Sequence, residues 1–149
     1  FVELAGEINT AMPQRVVART IEAMNEHAGR APRGARILVL GVAYKKNVDD
    51  TRESPSFRIM ELLERQGAEG LFHDPLVAVI GASREHPEFI GRRSVELTEQ
   101  FLATIDATVI STDHDAVDYR AVVRWSRLVI DTRNVCARHD LVGRHIVKA

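Results

Sequence analysis

Residues 36–63, RILVLGVAYKKNVDDTRESPSFRIMELL, constrain this chain more than any other stretch. Residues 36–42 are an apolar run of Val, Ile and Leu, with the length and make-up of a strand buried on both faces. Residues 44–53 read as a polar loop carrying Lys45, Lys46 and Arg52. Ser54 suits an N-cap, and Pro55 the first helical position. Phe57, Ile59, Met60, Leu62 and Leu63 supply the helical stripe that follows. In an open α/β sheet, ligands sit beyond the carboxyl ends of such strands, near helix N-termini. Cations placed there suit an anion, most simply a phosphate.

The rest of the chain continues the alternation. Residues 1–28 read as helix, with Val2, Ala5, Ile8 and Ala11 or Met12 at helical spacing, then Val16, Val17, Ile21 and Met24. Asn9 and Pro13 interrupt that pattern. Proline inside a helix costs about 3 kcal/mol, so the spacing predicts a kink or two helices, the second starting near Pro13. Residues 29–34, GRAPRG, have linker composition, and the globular unit begins at Ala35. Further strands are expected over 70–74, 107–111 and 128–131, with short helices over 97–105 and 115–125. Residues 77–93 are loop-rich, with Gly81, Pro87 and Gly91, and 141–147 read as a last short helix or strand. Strands alternating with helices imply an α/β fold with a doubly wound parallel sheet and right-handed crossovers.

Composition excludes several classes. The net charge of −1 gives no global case for nucleic acid or an anionic membrane surface, so any anion site must be local. No apolar run approaches the roughly 18 residues of a membrane span. Cys136 is the single cysteine, so no internal disulfide forms, and a cytoplasmic protein is the simple expectation. As the chain opens at Phe1, inside a helical pattern, a fragment or a processed chain is expected.

The candidate chemistry is sparse. A dinucleotide site would show G-x-G-x-x-G after the first strand, but residues 41–46 read GVAYKK, with one glycine. A side-chain grip by Lys45 replaces a glycine turn. Alternatively, Lys45, Lys46 and Arg52 are a solvated rim paired with Asp49, Asp50 and Glu53, and the loop alone leaves both readings open. Arg133 follows the strand at 128–131, at the same edge of the sheet, so Arg133 and Lys45 can converge on one anion. The six histidines, His27, His73, His86, His114, His139 and His145, show no metal-ligand spacing, and acidic turns such as Asp113 to Asp115 read as helix caps; no metal is expected. Cys136 follows a strand and a basic loop, but a lone cysteine of this kind reads as structural. The basic residues after strand one argue against a phospho-receiver.

Four segments carry a resemblance: GVAYKKNVDDTRESPSFRIMELL, HDP at 73–75, STDHDAVDY at 111–119 and IDTRNV at 130–135. Together they resemble the C-terminal, UDP-binding domain of the UDP-glucose/GDP-mannose dehydrogenase family, and look most similar to its UDP-N-acetylhexosamine 6-dehydrogenases. The opening VELAGEINTAMPQRVV resembles the end of the family's central dimerisation region. The resemblance implies a Rossmann-like open parallel sheet with flanking helices over 35–149, preceded by a helical segment and linker over 1–34. It also implies a homodimeric complete enzyme that oxidises C6 of a UDP-sugar to the carboxylate with two NAD. The catalytic cysteine and the main NAD domain lie ahead of this segment in the family, so no catalytic residue is expected here. Tyr44 and Lys45 match the pair that contacts the UDP-sugar, and Arg133 matches an arginine that also reaches it. Arg52 matches an arginine that touches NAD. Weak UDP binding without turnover is the expectation for these residues alone. A stand-alone, non-catalytic nucleotide-binding or regulatory module is the rival reading, and a pure assembly module built on the first helix is a third.

Overall fold

The computed structural model describes the backbone of residues 2–149 and the side chains from Ala11 onward. Helix α1, Val2–Ala28, runs through Pro13 as one helix, so the expected division into two does not occur. A proline removes one backbone donor. Beyond it, Val16, Val17, Ala23 and Met24 bury an apolar face in the same cluster as Phe57, Met60 and the sheet residues, which holds the helix in place. The stripe expected at Val2, Ala5 and Ile8 lies outside the described side chains.

Five strands follow: β1 Arg36–Leu40, β2 Glu69–His73, β3 Ala107–Ile110, β4 Val129–Asp131 and β5 Ile146–Lys148. They form one sheet in the order β2-β1-β3-β4-β5, with every neighbouring pair parallel. Leu38 stands opposite Leu71 on one side and Thr108 on the other, and Thr108 opposite Val129. This is the doubly wound parallel sheet that the alternation implies, of the Rossmann-like kind that the resemblance implies.

Side-chain alternation along the strands builds a core on each face. Ile37, Val39, Val109 and Ile130 join α1 and helix α2, Pro55–Arg65, through Phe57, Met60 and Leu63. Leu38, Leu40 and Ile110 face the opposite layer, made of α3 Glu99–Leu102, α4 Tyr119–Trp125 and α5 Val135–Arg138. Each fully buried Leu, Ile or Phe contributes about 1.5–3 kcal/mol relative to exposure.

Local chemistry sets the boundaries. The Ser54 hydroxyl accepts the Ser56 N–H at 3.2 Å, with Pro55 at the first helical position, as the sequence predicts for α2. Thr98 and Asp118 cap α3 and α4 in the same way, which shortens both helices to the segment beyond the cap. β1 ends at Leu40 rather than at residue 42, because Gly41 turns the chain at φ +89°. The tail resolves its two options as the edge strand β5. Helix α5 has no counterpart in the expected elements. Segment 77–93 folds back on itself through a Val79–Arg93 antiparallel bridge and a 3₁₀ turn at Pro87–Phe89, and it buries Ile80 and Phe89. Among the described residues, no helix is long and apolar enough to cross a membrane.

Candidate functional site

The strand order reverses direction between β1 and β3, so the loops leaving these strands part at the carboxyl edge of the sheet. They first touch. A side chain at Gly41 would put its Cβ 2.5 Å from Thr112 Cβ and 2.6 Å from Thr112 O, at a φ that L residues avoid. Only glycine lets β1 pass the β3 loop this closely.

Beyond that contact, the β1 loop is tied down from three sides. Gly41 N–H donates to His73 O at 2.8 Å, and Val42 N–H donates to Asp74 Oδ2 at 2.8 Å. Thr112 Oγ1 donates to Ala43 O at 2.7 Å. Ser56, in the first turn of α2, donates to Gly41 O at 2.8 Å and meets the Ser111 hydroxyl at 2.6 Å. At the far end, Asn47 N–H donates to His114 Nδ1 at 2.9 Å, and the Asn47 side chain exchanges two hydrogen bonds with Asp115. Asn47 adopts a left-handed φ of +64°, which asparagine tolerates better than most residues.

Tyr44 and Lys45 sit at the crest of this braced loop, both exposed. The Lys45 ammonium lies 5.5 Å from the centre of the Tyr44 ring, a cation–π distance. Tyr44 borders a cleft of about 1110 Å³ that also touches the N-terminus of α2 at Ser54, together with Arg52, Arg58, His86 and Arg133. Met12 and Pro13 of α1 close one side of it.

Arg133 arrives from β4. Buried Asp131, the last residue of that strand, accepts the N–H groups of Arg133 and Val135 on Oδ1 and that of Cys136 on Oδ2, at 2.8–3.2 Å. The carboxylate thus caps α5, where Asn134 offers no side-chain cap, and it fixes the backbone from which Arg133 projects. Arg133 Nε then donates to Ser111 O at 2.8 Å, reaching over the end of β3. Two of the expected site residues, Tyr44 and Arg133, therefore share one cleft, with Lys45 stacked beside the first.

Arg52 also lines the cleft but is engaged. Its Nε and one terminal nitrogen grip the Asp50 carboxylate at 3.0 and 2.8 Å, and this pairing holds Asp50 down to a pKa of about 2. A guanidinium has five N–H donors, so others remain free on a side chain that is 86% exposed. The solvated-rim pairing holds for Arg52, which meets Asp50, whereas Lys46 approaches Asp115 of the β3 loop at 3.8 Å instead of an acid of its own loop.

Burial and the neighbouring Asp131 push the Cys136 thiol up to about 12, which leaves it a poor nucleophile at neutral pH. Burial and nearby Asp113 and Asp115 raise the Tyr119 phenol well above its ordinary value. Among the described residues, Glu61, His86 and Glu88 gather their ligand-type atoms within 4.8 Å. Glu61 already pairs with Arg58 at 3.1 Å and Arg65 at 2.7 Å, so this group is an ion-pair cluster.

An open parallel α/β sheet with a cation-lined cleft at its switch point defines a nucleotide-binding type of domain. The comparisons make this specific. Residues 38–138 match the model of the UDP-glucose/GDP-mannose dehydrogenase family, UDP binding domain. The chain is 32% identical over 140 residues to UDP-N-acetyl-D-mannosamine dehydrogenase of Pyrococcus horikoshii, covering 91% of this chain and 30% of that protein. It is 28% identical over 143 residues to the Haloferax volcanii UDP-glucose 6-dehydrogenase AglM, covering 94% of this chain and 31% of that one. The solved structure of the P. horikoshii UDP-D-ManNAc dehydrogenase superposes with a TM-score of 0.73 at 30% identity, over 97% of this chain and 32% of that one. The chain belongs to the UDP-glucose/GDP-mannose dehydrogenase family, and it spans about three-tenths of the length of these relatives.

The family implies NAD. Residues 41–46 lack the glycine-rich pyrophosphate turn, and what the cleft offers an anion is its arginines, Arg52, Arg58, Arg84 and Arg133. Sequence reasoning did not find Asp74, His114, Asn47 or Asp131 as parts of the site. Asp74 and Asp131 were signalled by their place at strand ends; Asn47 and His114 meet across 67 positions and gave no local signal.

Proposed function

We propose that this chain is the UDP-binding part of an NAD-dependent UDP-sugar 6-dehydrogenase. Residues 1–34 are the end of a central helical region through which two copies of the complete enzyme pair, and 35–149 are the UDP-binding unit. The substrate is a UDP-hexose: UDP-N-acetylglucosamine, UDP-N-acetylmannosamine or UDP-glucose. A cytoplasmic setting goes with this reading and suits a lone, unpaired thiol.

In this reading, Lys45 and Arg133 meet the two charges of the substrate diphosphate. Paired cations remove the penalty of desolvating a dianion. Tyr44 lines the same cleft and gives the bound substrate an aromatic wall. The chemistry that bound NAD would supply is hydride acceptance, once for each of the two oxidations from alcohol to carboxylate. Arg52 would hold a cofactor phosphate with the guanidinium donors that Asp50 leaves free. None of these residues performs the chemistry; they hold the substrate and wall it from water.

One observation carries the reading: Tyr44 and Arg133, from loops after two different strands, border one cleft beside the N-terminus of α2. The test is calorimetric titration with UDP, UDP-glucose and UDP-N-acetylglucosamine. The chain is expected to bind UDP weakly without turning over any of the three. In the complete enzyme, Lys45→Ala should weaken UDP-sugar binding by roughly tenfold to a hundredfold, the worth of one hydrogen bond to a charged group. Unchanged affinity would remove Lys45 from the site.

A further inference from the structure

One fully buried titratable side chain has no part in the contacts assigned to the ligand. His114 sits just past the end of β3 with 0% exposure and with both ring nitrogens occupied. Nδ1 accepts the Asn47 N–H at 2.9 Å. A backbone amide can only donate, so Nδ1 carries no proton. The ring proton is therefore on Nε2, which donates to Asp74 Oδ2 at 2.9 Å. That same oxygen accepts the Val42 N–H at 2.8 Å, and Asp74 Oδ1 accepts the Leu76 N–H at 2.8 Å. One buried carboxylate thus holds the loop at residue 42 directly and at residue 47 through an imidazole. Tyr44 and Lys45 lie between the two anchors.

We propose that His114 is a positioning residue for the anion site: without touching the ligand, it sets Lys45 by accepting the Asn47 N–H. This rests on the reading of Lys45 as a diphosphate ligand. The geometry favours a role beyond filling space. An apolar residue would satisfy the core at the end of β3. The imidazole instead takes a donor from the ligand loop and passes the load to a carboxylate fixed at the end of β2, and so couples three loops of the carboxyl edge.

The two ring nitrogens can be tested separately. In His114→Asn the side-chain oxygen falls near the place of Nδ1, so the acceptor for Asn47 is kept and the bond to Asp74 is lost. In His114→Gln a polar atom falls near Nε2, so the bond to Asp74 is kept and the acceptor is lost. Binding of UDP to the full chain is measured by NMR titration, with thermal melts on the same samples. His114→Asn is expected within about threefold of wild type, and His114→Gln weaker by roughly tenfold, whichever of the two melts lower. Equal affinities in the two variants, or the reverse order, overturn the proposal and leave a satisfied core histidine. Wild-type exchange data cover the case in which a variant does not fold. Because coupling is reciprocal, saturating UDP should slow hydrogen exchange at the Asn47 amide by about tenfold; an unchanged rate overturns the proposal. A wild type that binds no UDP, or binding that Lys45→Ala leaves intact, marks the failure of the underlying ligand assignment instead.

Discussion

The two halves of the β1 loop are held by different physics. The inner half, from Gly41 to Asn47, is fixed by hydrogen bonds to His73, Asp74, Thr112 and His114, buried at residues 42 and 43 and partly buried at Asn47. The outer half, around Asp50 and Arg52, is fixed by a surface ion pair, with Glu53 in a left-handed turn beside it. Buried bonds are costly to leave unmade, whereas exposed pairs contribute little and are screened. The cations follow the same division. Lys45 rides on the rigid half with no acidic partner among the described contacts, and Arg52 rides on the soft half with its fork filled. The proposed substrate grip thus falls on the first half, and the proposed contact to a second ligand on the second.

Breaking the inner half should have the largest effect. Asp74→Ala strands the N–H groups of Val42 and Leu76 and the Nε2–H of His114, each worth about 1–3 kcal/mol when buried and unpaired, so a loss of about 4 kcal/mol is expected in denaturant unfolding. Gly41→Ala comes next. Its methyl would overlap Thr112 at a φ of +89°, and about 3 kcal/mol is expected by the same measurement. A loss under 1 kcal/mol in both would show that the two loops are not braced against each other.

Sharpening the comparison from the other side calls for Asp50→Asn. The Arg52 hydrogen bond lowers the Asp50 pKa from an ordinary 3.8 to about 2. A depressed carboxylate stabilises the fold above its unfolded value and loses that contribution as pH falls through the folded one. The pair should therefore hold at neutral pH and melt between about pH 4 and 2, with the Asp50 carboxyl titrating near 2 by NMR. At neutral pH, Asp50→Asn should leave stability almost unchanged and free Arg52 for a phosphate. The smallest effect is expected from salt, which should weaken the Asp50–Arg52 contact before it disturbs the amides of residues 41–47.

The same division decides what could be read from the sequence. The strand–loop–helix unit was legible because its signals are local: an apolar run, then Ser54 and Pro55 as cap and first turn. Lys45 and Arg133 were legible as residues following strands, and the parallel topology puts such residues on one edge. Illegible were contacts made across sequence distance. Asp74, the middle of the HDP triplet, reads as the end of a strand, but its work is to hold the loop after another strand. His114 sits in an acidic turn and read as part of a cap. Helix α5 was missed because its N-cap, Asn134, is left-handed, and the cap is supplied by Asp131 three residues earlier. Pro13 misled in the other direction: a local penalty was overridden by the burial of Val16, Val17 and Met24.

The most direct measurement is a crystal structure of the chain with UDP bound. The diphosphate should lie in the cleft beside Tyr44, with phosphate oxygens about 2.8 Å from both the Lys45 ammonium and the Arg133 guanidinium. A diphosphate seated elsewhere, or held in that cleft by neither cation, would contradict the assignment of the site.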